Sequence, residues 1–466
     1  MIDIIARGNK DYWAINTNNK SNTFKDKVMY SHIIKSYHKY IPIIEETRVL
    51  PFSGSNFGKQ AKIVIPNFCD IYTDMYLQLN LQSFLKDNSI DLYEYYPVNQ
   101  TNNFGYTQYT AYSCIENIQL YVGKLKIDEY NTLELFHKYI ENTTPTQRSN
   151  IKYKLGYYNQ TSYNDNDNVY QNQGGDLFLK VPFDLFSKHK PLPTSLVQGS
   201  PLEIRIKFRE LDNLIYPKQN LQSIVGNEIT FRNSTGNIIT TTIQRPKLKF
   251  VYLHVNGLHV EEKIRRKFTT DLYKYNIKPF ITYDNQEYLF SDPDNSPQIC
   301  VGAPQKVPNN GDVNDYKLQL DFQNPVQTFT LYPQLVSSND NNEYFNFILN
   351  NDMPNNEIIS NIGLKIHGIE IYPKLNSQYY NIVTPYCTNA NILQDTSFFL
   401  PLNAYNKDTL MNYGYIDYLK VNHSVLDLNI TGWNENNRTF KIFIISKIYK
   451  KLEMENGSIS FHNDFD

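Results

Sequence analysis

The sequence predicts an all-β protein made of two tandem eight-stranded antiparallel jelly-roll sandwiches with short helical insertions, and three observations carry that reading. The 466 residues include 38 Tyr and 26 Phe but only 2 Trp, and large rings favour pleated, half-buried surfaces. Apolar residues recur with period two along the chain, while a 3.6-residue period is scarce. A turn-rich, weakly patterned stretch near Asp212 to Arg245 separates two β-rich halves of comparable length. Two sandwiches of about 200 residues each fit this length better than three smaller domains.

The elements follow in chain order. Ala61, Ile63 and Ile65 alternate with polar neighbours, as do Met75, Leu77, Leu79 and Leu81, so each run predicts a strand. Thr132 to Glu141 is the best helix: Asn131 can cap it, Glu134 follows three residues later, and Leu133, Phe136 and Ile140 form a stripe. It sits between strands, as an insertion would. Tyr157 to Gly175, with Asn164 to Asn168 at its centre, reads as a long surface loop. The clearest strand is Leu202 to Arg209, where Leu202, Ile204, Ile206 and Phe208 share one face and Glu203, Arg205, Lys207 and Arg209 take the other. Burying those four apolar side chains contributes on the order of 6 to 12 kcal/mol before entropy is subtracted.

Beyond the division, Leu248 to Val255 and then Leu318, Leu320 and Phe322 alternate again, with a second polar loop at Ser291 to Asp315 between them. In Leu364 to Ile371 the phase shifts at Gly368, so that Ile369 and Ile371 take over the apolar face; this reads as a bulge. An apolar strand with Pro, then an alternating strand, occurs at Leu177 to Pro182 and Leu202 to Arg209. The theme repeats at Phe398 to Pro401 and Leu419 to Ile430. The resulting division is an N-terminal arm at 1–25, a first jelly roll at 26–212, a linker at 213–246 and a second jelly roll at 247–466.

Charge and cysteine usage exclude several roles. With 45 Lys+Arg against 47 Asp+Glu there is no basic excess, so a phosphate-binding nucleic-acid surface is not the main business. Cys69, Cys114, Cys300 and Cys387 lie far apart with no CxxC pair, which predicts free thiols in a reducing compartment. The start at Met1 runs into Asp3 and Arg7 rather than a secretory signal, and no run reaches the ~18 apolar residues of a spanning helix. A soluble cytosolic protein follows, with the acceptor motifs at Asn142 and Asn429 unglycosylated.

Catalytic chemistry is nearly present in two places. Gly54 to Gln60 approaches a phosphate loop, but it is one residue short between the glycines, has no Ser or Thr after Lys59, and runs into a strand. His254, His259, Glu261 and Glu262 are close in sequence, yet residues five apart on a strand face opposite sides, so the histidines converge only through a bulge near Gly257. His137, His189 and His423 have no evident partner set. The cluster Glu261, Glu262, Lys263, Arg265, Arg266 and Lys267 mixes signs like a solvated face. No catalytic, cofactor-binding or metal residue is assigned.

Short segments spread along both halves carry a resemblance. Ile5 to Gly8 with Asp11 and Tyr12, then Thr23, Phe24 and Lys25 with Val28, Tyr30 and His32, lead to the strongest motif, Asn56, Phe57, Gly58 and Lys59. Asp70 and Leu77 come next, followed by Leu192, Pro193 and Leu202, Glu203, Ile204, Arg205, Ile206. The second half offers Tyr252, Leu253, Glu261, Glu262, Arg265 and Phe268, then Phe322, Asn324, Pro325 and Val326. Tyr380, Asn381, Pro385 and Tyr386 precede a closing Asn456, Gly457, Ser458 and Phe461. In this order the segments resemble the double jelly-roll major capsid proteins of nucleocytoplasmic large DNA viruses, the phycodnavirus, iridovirus and mimivirus group. One departure is Tyr413, Gly414, Tyr415, where the family usually builds a Pro, Ser and Gly run.

The resemblance implies a viral structural protein rather than an enzyme. Three chains would form a pseudo-hexagonal homotrimer, and trimers would tile an icosahedral shell with penton and minor capsid proteins over an internal membrane. The protein would reside in the virion after assembly in the host cytoplasm, with no cofactor and no specific nucleic acid. Tyr106 to Tyr112 and the two long loops are expected at the outer end or at trimer contacts, and Met1 to Lys25 inside. A poxvirus-type scaffold or a minor capsid paralogue is the alternative. A jelly-roll enzyme or glycan binder ranks behind both, for want of a convergent ligand set.

Overall fold

The computed structural model describes residues 43–82, 105–156, 175–186, 192–197, 199–216, 221–225, 228–232, 238–242, 246–262, 265, 277–290, 305–307, 314–349, 359–393, 396–402, 414–430, 439–455 and 458–462. The first half contributes β1 (Ile43–Pro51), β2 (Gln60–Ile65), β3 (Ile71–Leu81), β4 (Ile115–Val122), β5 (Leu125–Asn131), β6 (Gly175–Lys180), β7 (Leu202–Phe208) and β8 (Leu248–Val260). They pair antiparallel in two sheets, ordered β1-β8-β3-β6 and β2-β7-β4-β5. The second half contributes β9 (Ile277–Phe290), β10 (Gln305–Val307), β11 (Asn314–Gln319), β12 (Pro325–Leu335), β13 (Ile359–Ile366), β14 (Ile369–Asn376), β15 (Phe398–Pro401), β16 (Ser424–Ile430) and β17 (Phe440–Glu455). Its sheets run β9-β17-β12-β15 and β10-β11-β16-β13-β14. With the short β10 set aside, both halves therefore have the same plan: first, eighth, third and sixth strands in one sheet, second, seventh, fourth and fifth in the other. That is a jelly roll, and it occurs twice.

Alternation explains which residues face inward. In β2 and β7 the apolar positions Ala61, Ile63 and Ile65, and Leu202, Ile204, Ile206 and Phe208, are all buried, while their neighbours are half-buried or exposed. In β12 every residue from Pro325 to Gln334 is buried, so this strand is covered on both faces. One core fills the first sandwich and another the second, and the first also takes in Phe280, Tyr283, Tyr332, Phe347 and Ile445 from the second half.

Several expectations are corrected. Leu248–Val260, counted with the second half from its sequence, hydrogen-bonds to β1 and β3 and is the eighth strand of the first sandwich. Alternation identifies a strand but carries no information about its distant partner. The phase shift at Gly368 is a hairpin turn, in which Ile366 pairs with Ile369 and His367 and Gly368 adopt φ of 52° and 77°, as a two-residue primed turn requires; the expected bulge lies just beyond it, where the register shifts between Leu364 and Lys365. Ile369 and Ile371 accordingly face outward and are exposed. The loop expected at Ser291 to Asp315 contains β10 and the start of β11. The stretch read as a linker holds a three-stranded sheet of 221–225, 228–232 and 238–242. In Leu419 to Ile430, the strand begins only at Ser424, after a short 3-10 turn. Tyr106 to Tyr112, expected at the outer end or at trimer contacts, runs into a short helix (Thr110–Ser113), and Tyr106 and Tyr112 are buried in the first core. Met1 to Lys25 and nearly all of Tyr157 to Gly175 lie outside the described residues.

Candidate assembly interface

The side chains that cross between the two sandwiches cluster on helix α1 (Thr132–Asn142), which follows β5 directly. Its start is fixed by a complete capping box: Asn131 Oδ1 accepts from the Glu134 amide at 2.9 Å, and Glu134 Oε2 accepts from the Asn131 amide at 2.8 Å. Of the expected stripe, Phe136 and Ile140 are buried and Leu133 is half-buried, but Glu134 and His137 are buried as well. They are buried because the helix lies against β9, β12 and β17 of the other half.

Several polar groups on that side have partners there. Asn285 Nδ2 donates to Glu134 Oε1 at 2.6 Å, and His137 Nδ1 lies 2.8 Å from the Tyr332 hydroxyl. Lys447 Nζ donates to Glu141 Oε1 at 2.5 Å, and the Tyr283 hydroxyl donates to Glu141 Oε2. On β5, Asp128 Oδ1 accepts from the Thr282 hydroxyl at 2.5 Å. The rings between them interlock: Phe136 stacks on Phe345 at 4.0 Å between centroids, and Tyr130 and His137 meet Tyr283 at 6.0 and 5.0 Å. A second set of contacts lies alongside. The Thr107 hydroxyl donates to the Asn342 carbonyl at 2.5 Å, Asn342 Nδ2 donates to the Ile215 carbonyl at 2.8 Å, and the Arg209 guanidinium sits 4.2 Å from the Tyr344 ring centroid.

Burial sets the electrostatics of this seam. It pushes His137 down to about 4, so the imidazole is neutral near pH 7, and it raises Glu134 to about 8 and Asp128 to about 6. Burial opposes ionisation of Glu141 too, but Lys447, His137 and the Tyr283 hydroxyl outweigh it and hold the carboxyl near 2. The arrangement is a set of buried, mostly hydrogen-bonded polar groups that fixes one sandwich against the other. Sequence reasoning found no partner for His137, although Glu134, His137 and Glu141 already share one side of the helix at three- and four-residue spacing.

The motif residues do not converge. Asn56, Phe57, Gly58 and Lys59 form a turn before β2. Gly58 has φ +70°, its amide donates to the Arg209 carbonyl at 3.1 Å, and the Phe208 amide donates to the Lys59 carbonyl at 3.0 Å. Phe57 packs against the first core. Within β7, Ile204 is buried, while Glu203 and Arg205 pair at 2.5 Å on the outer face, with the Arg205 guanidinium 3.9 Å from the Tyr121 ring centroid. Asn324 precedes β12, whose first residues Pro325 and Val326 pair with Asp417 and Ile416. Asn456 and Gly457 lie outside the described residues. His254 and His259 take separate partners, Gln78 at 2.8 Å and Glu46 at 2.7 Å. Cys69 and Cys114 are buried free thiols, both raised to about 12 by burial, and Cys387 is free and exposed. Among the described residues no helix is long and apolar enough to cross a membrane.

Residues 34–245 match the family described as the major capsid protein N-terminus. The fold is similar to that of PBCV-1 VP54, as fitted into a reconstruction of the virophage Sputnik. The TM-score is 0.63 at 12% identity, covering 92% of this chain and 98% of that one. It is also similar to the Faustovirus major capsid protein, with a TM-score of 0.61 at 11% identity over 89% of this chain and 91% of that one. No curated protein sequence matches the chain. Residues 34–245 thus match the major capsid protein N-terminus family, and the fold over both halves is the double jelly roll seen in these solved capsid proteins.

Proposed function

We propose that this chain is the subunit of an icosahedral shell and that it works as a homotrimer, a capsomer of pseudo-hexagonal outline. The seam supports this reading. Two sandwiches of one strand order are held side by side by Glu141, Lys447, His137 and Tyr332, so a closed ring of three chains would present six sandwiches. The remaining parts of the reading are trimer-to-trimer lattice contacts, penton and minor capsid partners, an internal membrane met indirectly, and assembly in the host cytoplasm. In it, Asn56 to Lys59, Glu203 to Arg205, Asn324 to Val326 and Asn456 with Gly457 are structural residues, and neither catalysis nor a cofactor is needed.

Light scattering of the purified chain, with negative-stain imaging, tests the reading. The expected result is a particle of about three chain masses with a hexagonal outline. A monomer at every concentration overturns it.

A further inference from the structure

The repeated plan places a helix after the fifth strand in each half, but among the described residues only one of these helices is covered. In the first half it is α1, which lies on the β9-β17-β12-β15 sheet through Tyr283, Tyr332 and Lys447. In the second half, a π-helical turn (Tyr379–Val383) runs into α2 (Thr384–Thr388) after β14. One side of this helix is anchored: Asn381 Nδ2 donates to the Ser397 carbonyl at 2.7 Å, the Thr384 hydroxyl donates to the Phe399 carbonyl at 2.8 Å, and Tyr380 is buried. The other side presents Tyr379, Ile382, Val383 and Tyr386 to solvent, at 39, 58, 40 and 84% exposure. Their spacing of three, four and seven residues is that of a helix face used to dock on an apolar surface. No charged residue occurs between Lys374 and Asp395. The neighbouring strand adds exposed Ile369 and Ile371.

The surface equivalent to the one that receives α1 is the outer face of the β1-β8-β3-β6 sheet. Among the described residues it too is uncovered: Val49, Tyr76 and Phe178 are exposed, and Phe250 stacks on Tyr252 at 4.6 Å beside them. The contrast with β12, buried on both faces, measures what a docked helix does to such a sheet.

We infer that Tyr379, Ile382, Val383 and Tyr386 of one copy dock on the outer face of the β1-β8-β3-β6 sheet of a second copy, repeating between chains the contact that α1 makes within one. The inference rests on the self-assembly proposed above and names its surface. The occupant is a second copy because both halves of the contact, the stripe and its receiving sheet, lie on this chain, and because the first half already displays the docked arrangement. Stripe and sheet are different patches, so the contact is heterologous and passes round a ring. The two exposed tyrosines at the ends of the stripe are a residue type enriched in such interfaces.

The test compares wild type with Ile382→Lys and Tyr386→Lys, using Ile238→Lys as an exposed control on the three-stranded sheet. The expected outcome is a trimer for wild type and control and a monomer for the two helix variants, with unchanged circular dichroism. A wild-type trimer that survives both helix substitutions overturns this contact and leaves the capsomer reading standing; a wild-type monomer overturns both. Position is tested by mixing a chain carrying Tyr386→Cys with one carrying Tyr76→Cys, both with Cys300 and Cys387 replaced by serine. Oxidation should yield a covalent pair only in the mixture, and failure to cross-link in a trimer that forms counts against the assigned face.

Discussion

His137 Nδ1 and the Tyr332 hydroxyl lie 2.8 Å apart although the residues are 195 positions apart in the chain, and both are buried. The bond joins α1 of the first sandwich to the third strand of the second, in surroundings where a lone polar atom has no water to turn to. Tyr332→Phe removes one partner and keeps the ring. The expected loss is about 1–3 kcal/mol of unfolding free energy, the cost of leaving a buried imidazole nitrogen unsatisfied. Denaturant titration measures it.

The Glu141 and Lys447 pair should be more sensitive to losing one member than to losing both. Its side chains are only 14 and 11% exposed, so little solvent screening applies. Lys447→Met leaves a carboxylate in the seam and is expected to cost about 3–5 kcal/mol. Glu141→Gln combined with Lys447→Met removes the stranded charge, and the double variant should recover part of that loss in the same titration.

The seam also predicts opposite pH slopes for neighbouring groups. His137 ionises near 4 in the folded chain against 6.5 unfolded, so the unfolded state binds more protons between these values and stability is lost as pH falls from 6.5 to 4. Glu134 is the reverse case. Its folded value of about 8 lies above 4.5, so the folded state binds more protons, and stability is lost as pH rises from 4.5 to 8. Relative to wild type, His137→Phe should therefore flatten the acid limb and Glu134→Gln the neutral limb of melting temperature against pH. Parallel curves for wild type and both variants would contradict the assignment.

What could be read in advance follows from locality. The strand at Leu202 and the capping box at Asn131 and Glu134 were legible because alternation and capping are written within a few residues of one another. The partner of Leu248–Val260 was not, since an alternating strand pairs equally well with either sandwich until the other strands are placed. The same limit hid the use of His137, whose partner lies in the other half. At Gly368 the phase shift was visible, but a bulge and a two-residue turn both shift phase. The positive φ of His367, which distinguishes them, is uncommon for any residue other than glycine, although histidine adopts it more readily than most.

Gly257 offers the last test, of the strand whose placement the sequence missed. It sits in β8 beside a register shift between Val255 and Gly257 against β3, where the backbone passes close to Cys69. A methyl group added there would come within 2.6 Å of Cys69 Cβ and would also collide with its sulfur, with Phe68 Cε2 at 3.0 Å. Cys69 cannot retreat, being buried with its thiol donating to the Ile71 carbonyl at 3.3 Å. Gly257→Ala should therefore cost about 1–3 kcal/mol through overpacking. Combining it with Cys69→Gly removes the colliding atoms, so the double variant should lose less than the sum of the single losses. Strict additivity would mean that β8 does not approach Cys69 as described, and with it the pairing that makes this strand the eighth of the first sandwich would fail.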